Sequence, residues 1–292
     1  MKYRALKIII LCFLSLFSSN ACFANEEPPG TDFFVLSIPK SGTHLILKML
    51  HMLTGKNQVS VMNAFPHSFT CTFKEDDSRV DISYEELNAA FLDWKSGNLF
   101  STAHFNVAED FHRFWLDHPE YVKIIQIRDL RDVCVSCVFH QSDEIEKEIG
   151  PCSFADKLLF VITLGNRATK NRLFHIKKQA QLAADWMQCS ETVVCRFENL
   201  IGEKGGGNLE PQRNQILAIA KNLKIDLNAE KLEWITTNLF GIISGPSIPS
   251  TFREGKAGSW RYYFDEVHKK AFIEHLGEIQ LNLGYNLFDD DV

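Results

Sequence analysis

Four short apolar runs, at 33–38, 99–103, 122–127 and 193–197, recur along this chain, and the segments between them are longer and of helical period. The run VKIIQI at 122–127 is apolar enough to be covered on both faces. Strands of that kind suit a parallel sheet sandwiched by helices, because crossover helices cover both sides of such a sheet. The alternation therefore predicts an α/β, three-layer domain whose central, mostly parallel sheet is flanked by helices. With 292 residues and 45% hydrophobic content there is enough chain for one well-buried domain of this type.

Further helices are expected at 209–223, 229–240 and 265–281. Two more between 143 and 188, within FADKLLFVITLG and NRLFHIKKQAQLAADWMQ, would form the wall of a substrate cleft. The segment GEKGGGN at 202–208 reads as a flexible connection with no helix start immediately behind it.

The first run leads into Pro39-Lys40-Ser41-Gly42-Thr43 and then into a helical pattern. A strand-to-helix turn collects free backbone N–H groups and the positive end of the helix dipole in one small volume, which is an anion site. Gly42 lets the backbone come close, Ser41 and Thr43 add hydroxyls, and Lys40 supplies a full charge. The triphosphatase pattern GxxxxGK[ST] is not met, because Lys40 stands two residues before the glycine. The fold is P-loop-like without that motif.

A second segment, IIQIRDLRDVCVSCVFH, ends a strand near Arg128 and opens a helix near Leu130, with Ser136 on that helix. Arg128 suits a dianionic phosphate, and Ser136 can add a hydrogen bond. Asp129 on magnesium, and an ion-paired helix start without ligand, are the competing readings. A third segment, TFREGKAGSWRYYF, is a glycine-interrupted basic loop. The formal charge of −6 and pI near 5.9 remove any general electrostatic case for nucleic acid, so an anion site has to be local.

Taken in order, these segments resemble the sulfotransferases that use 3′-phosphoadenosine 5′-phosphosulfate (PAPS). PKSGT is similar to the family's 5′-phosphosulfate loop, and RDLRDVCVS to its 3′-phosphate motif RDPRDVxVS, with Leu130 replacing proline. FREGKAGSWR is similar to the closing element RKGxxGxWK: Arg253, Gly255, Gly258, Trp260 and Arg261 fit, while Glu254 stands where lysine is usual. RFENL resembles a strand end whose aromatic stacks on adenine, a place taken by Phe197, which is otherwise a core residue. The resemblance runs from Phe33 to Tyr285.

The resemblance implies sulfuryl transfer from PAPS to a hydroxyl or amine, with no metal required. Lys40 would neutralise charge on the bridging oxygen, restrained by Ser136 until acceptor arrives. His104, in STAHF, matches the family's catalytic histidine, although Thr102 replaces its neighbouring lysine and the following Leu-Pro is absent. His44 is read as cofactor-side, and the other histidines, His140 included, as background. A P-loop-like nucleotide-dependent kinase and a non-catalytic bisphosphonucleotide or glycan binder on the same scaffold are the alternatives. The partner expected is a small-molecule or glycan acceptor.

Lys2, Arg4 and Lys7 precede an apolar run and small residues up to Ala24, the pattern of a secretory signal over 1–24, with 25–292 as a single domain. The expectation is an exported protein without stable membrane insertion, the alternative an anchor through 1–24. Removal would leave 28 basic against 37 acidic residues, a formal −9. Cys134 and Cys137 form a lone CxxC with no second pair, so a metal site is not expected.

Overall fold

Strand β1, Phe33–Ser37, is buried along its whole length and lies at the centre of a five-stranded sheet. The structure is a computed structural model that describes residues 33–60, 99–104, 113–114, 116–163, 176–189, 192–241 and 254–288. The remaining strands are β2 (Asn57–Ser60), β3 (Leu99–His104), β4 (Val122–Ile127) and β5 (Thr192–Arg196), in the order β2-β3-β1-β4-β5. Every pairing is parallel. The expected three-layer α/β architecture is present.

Alternate residues of the strands feed two different cores, as the period of 2 requires. Phe34, Leu36, Ile125 and Ile127 pack on one face beneath α2 (Leu130–His140), α3 (Ser142–Ile149), α4 (Phe154–Thr163), α5 (Ile176–Met187) and α9 (Glu266–Asn282). Phe33, Val35, Ile124 and Val193 pack on the other beneath α1 (Thr43–Thr54), α7 (Leu209–Asn222) and α8 (Ala229–Asn238). Full burial of such side chains contributes about 1.5–3 kcal/mol each. That is why no strand in the pair β1–β4 could lose its two-faced apolar character.

The chain leaves neighbouring strands toward opposite faces: β1 feeds α1 on one side and β4 feeds α2 on the other. The two turns diverge and leave a crevice at the carboxyl ends of β1 and β4. In open α/β sheets such a switch point is where ligands bind.

One strand was not expected and two local expectations need correction. β2 carries the polar sequence NQVS, so an edge strand without an apolar run was not visible. β5 ends at Arg196, and Phe197 opens a one-turn helix α6 (Phe197–Leu200). The segment 202–208 contains a 3-10 turn, Glu203–Gly205, and α7 starts directly behind it at Leu209.

Candidate anion site at the β1–β4 crevice

The turn after β1 is fastened to β4 through a single residue, Gln126. Its carbonyl oxygen accepts from Ile38 N–H at 3.2 Å and from Ser41 Oγ at 3.1 Å, and its Nε2 donates back to the Ser41 carbonyl at 2.9 Å. Ser41 N–H closes the turn on the Ile38 carbonyl at 3.1 Å. Thr43 Oγ1 and Ser37 Oγ lie 2.9 Å apart across its base.

Two residues in this turn have left-handed backbones: Lys40 at φ 66° and Gly42 at φ 96°. For Lys40 that conformation is strained, and strain of this kind persists where the surroundings over-determine it. Gly42 is further constrained by its neighbour, since a Cβ there would lie 2.5 Å from Cδ2 of Phe197. Among the described residues the N–H groups of Gly42, Thr43 and His44, and the Lys40 ammonium, have no acceptor.

Arg128 enters the crevice from the end of β4 and is buried. Nη1 donates to the Lys40 carbonyl at 3.4 Å, Nη2 donates to the Lys256 carbonyl at 2.8 Å, and Nη2 lies 3.4 Å from Asp132 Oδ2. The guanidinium stacks 4.1 Å from the centroid of Phe197. Nε is buried and has no hydrogen-bond partner among the described residues. An orphaned buried donor of this kind is costly unless something accepts from it.

Asp129 and Arg131 are engaged away from the crevice, whereas Asp132 flanks Arg128 from behind. The Asp129 carboxylate accepts from Arg131 Nε at 2.9 Å and Nη2 at 2.6 Å, from Arg131 N–H at 2.9 Å, and from Gln280 Nε2 at 3.0 Å. It caps α2 and has no free edge for a metal, which removes the ground for a magnesium role. Arg131 stacks on Trp260 at 4.0 Å. Asp132 accepts from Gly258 N–H at 2.7 Å, Trp260 N–H at 2.9 Å and Ser259 Oγ at 3.1 Å, and so docks the glycine–tryptophan element onto α2.

Burial holds the Lys40 amine below its ordinary range, with Arg128 adding to the effect and Cys137 opposing it. His44 and His140 are lowered for the same pair of reasons, first burial and then the Lys40 charge, with Glu144 pulling His140 the other way. His140, at the end of α2, therefore belongs to the electrostatic surroundings of Lys40, which its spacing in the sequence did not reveal. Cys137 is buried and its thiol is pushed up to about 12, so it is a packing residue rather than a nucleophile.

Of the residues singled out in the sequence, Lys40, Ser41, Gly42, Thr43, His44, Arg128 and Phe197 form one constellation. Ser136 is half-buried on α2, two turns in, and its hydroxyl has no partner among the described residues. Phe197 is a core residue gripped between Gly42 and Arg128. Gly255 lies on the segment that reaches Arg128 through Lys256. His104 closes β3 in register with Ser37, one strand from the turn, and its side chain is outside the described residues, as is all of Arg253. Gln126 was missed, although a glutamine in an otherwise apolar strand was a signal. Among the described residues no group of three or more potential metal ligands occurs.

No family model matches this chain, and no curated protein sequence matches it. Among solved structures, mouse sulfotransferase SULT7A1 complexed with PAP is similar, with a TM-score of 0.56 and 16% identity over 90% of each chain. The chain thus has a sulfotransferase-like fold.

Proposed function

We propose that this chain is a sulfotransferase that moves the sulfuryl group of PAPS to a hydroxyl or amine acceptor by in-line displacement. The observation that carries this reading is the convergence in one crevice of the unpaired turn N–H groups, the Lys40 ammonium and the Arg128 guanidinium with its orphaned Nε. Those donors fit phosphate oxygens and leave few other solutions to a buried arginine N–H. The similarity to a sulfotransferase solved with PAP supports a nucleotide of that class.

In this reading the N–H groups of Gly42, Thr43 and His44, with the Thr43 hydroxyl, hold the 5′-phosphate end, while Ser41, whose hydroxyl is spent on the Gln126 carbonyl, shapes the turn rather than touching the phosphate as its sequence position suggested. Arg128 and Ser136 hold the 3′-phosphate, with Gly255 and Arg253 on the segment that covers it. Bound PAPS supplies a sulfuryl group already attached to a good leaving group. Lys40 donates to the oxygen on which negative charge develops, and preorganised donors of this kind act strongly in a water-poor site. His104 takes the acceptor proton, a role that typically contributes about 10²–10⁴-fold. A kinase that holds magnesium on Asp129 is disfavoured, because Arg131 and Gln280 already occupy that carboxylate.

The reading extends to one domain over 25–292, an export signal over 1–24, and a small-molecule or glycan acceptor. No helix among the described residues is long and apolar enough to cross a membrane. The test is incubation of the full chain with sulfur-labelled PAPS and a panel of phenols, amines and glycans. Label transfer that disappears in Lys40→Met supports the proposal. Tight binding of adenosine 3′,5′-bisphosphate without transfer to any acceptor would replace it with the non-catalytic binder.

A further inference from the structure

The glycine-rich segment 202–207 is a closed, internally bonded turn. Gly205 N–H and Gly207 N–H both donate to the Gly202 carbonyl, at 3.1 and 2.9 Å, and Gly206 N–H donates to the Glu203 carbonyl at 3.1 Å. Gly202 has φ 69° and ψ −174°, a region that only glycine occupies readily. At Gly205 a Cβ would lie 2.0 Å from Cγ1 of Ile201 and 2.5 Å from the Gly255 carbonyl oxygen. A loop selected only for flexibility has no reason to satisfy such constraints.

What presses on Gly205 is the segment that approaches Arg128. Ala257 N–H donates to the Gly205 carbonyl at 3.0 Å. One residue earlier, the Lys256 carbonyl accepts from Arg128 Nη2 at 2.8 Å, and one residue later Gly258 N–H donates to Asp132. Three consecutive residues are thus tied to three different elements: α2, the end of β4 and the glycine turn.

We propose that the glycine turn is a positioning element for the anion site: through the Ala257–Gly205 bond it fixes the Lys256 carbonyl, and the carbonyl orients the Arg128 guanidinium so that its Nε faces the bound phosphate. This rests on the functional reading above. Phe197 stacks on the face of the guanidinium and sets its plane, Asp132 lies 3.4 Å from Nη2, and the shorter bond from Nη2 to the Lys256 carbonyl, with Nη1 directed at Lys40, sets how the group is turned. A shift of the Lys256 carbonyl rotates the group and turns Nε away from its target.

The test uses calorimetric titration of the full chain with adenosine 3′,5′-bisphosphate. Gly205→Ala should raise Kd about tenfold. In an Arg128→Lys background, where no guanidinium is left to orient, Gly205→Ala should change Kd little. A merely structural role would weaken binding equally in both backgrounds, and that additivity would overturn the proposal. Ala257→Pro removes the same bond without adding bulk at Gly205 and should reproduce the effect should Gly205→Ala fail to fold. In ligand-free wild type the Ala257 amide should be protected from hydrogen exchange, and exchange at the rate of an open loop would also overturn it. Wild-type protein that does not bind the bisphosphonucleotide sinks the functional reading and this inference with it. Wild-type binding with unchanged affinity in both variants sinks this inference alone.

Discussion

Nη1 of Arg128 donates to the carbonyl oxygen of Lys40 at 3.4 Å, so the two cationic residues of the crevice are joined through backbone rather than kept apart by their charges. Lys40 itself has a left-handed backbone at φ 66°, and burial lowers the pKa of its amine, with the Arg128 charge adding to the effect. Asp132 lies beside Arg128, but among the described residues no carboxylate reaches the Lys40 ammonium, so an anion would stabilise the pair.

Lys40→Met keeps most of the stem and removes the charge. Turnover in the labelled-PAPS assay should fall by about 10²–10³-fold, the size of effect seen when one preorganised donor to developing charge is removed. Affinity for adenosine 3′,5′-bisphosphate should change much less. Wild-type turnover in this variant would refute the assignment of Lys40.

Gln126→Leu should release the turn, because the Ser41 carbonyl loses its donor. Leaving a buried acceptor unsatisfied costs about 1–3 kcal/mol, which should appear as a lower urea midpoint and weaker bisphosphonucleotide binding. Gln126 shows how far the sequence alone could go. Its presence in an apolar strand was visible, but its reciprocal bonds with Ser41 depend on β1 and β4 being neighbours.

Asp132→Asn keeps the shape and removes the charge that three donors from Gly258, Ser259 and Trp260 share. Hydrogen bonds to a charged group are worth about 1.5–3 kcal/mol, so unfolding free energy should drop by an amount of that order. Hydrogen exchange at Gly258 and Trp260 should accelerate selectively. Unchanged exchange there would show that the segment is held by other contacts.

His44 and His140 have folded pKa values below the ordinary imidazole range. Above that range both are neutral, folded or unfolded, and contribute no pH dependence. As pH falls through about 6.5 the unfolded chain takes up the protons first, so stability is lost toward acid. Unfolding midpoints at pH 7.5 and 5.5 should therefore diverge less in a His44→Gln, His140→Gln double variant than in wild type. An anion in the crevice should raise both pKa values by offsetting the Lys40 charge, which histidine NMR titration with and without adenosine 3′,5′-bisphosphate would read.

The β1–turn–α1 unit was settled by the sequence alone, because a two-faced apolar run, a glycine at a left-handed position and a helical repeat are local signals whose physics needs no distant partner. The parallel sheet followed from the repetition of such runs. Tertiary structure decided how the four charges in RDLRD are engaged. The strand end singled out Arg128, but only contacts with Gln280, Trp260, Gly258 and Lys256, far along the chain, engage Asp129, Arg131 and Asp132 and leave Arg128 Nε without a partner among the described residues. The same holds for 202–207: a run of glycines announces freedom when read alone, and becomes rigid once the 254–258 segment rests against it.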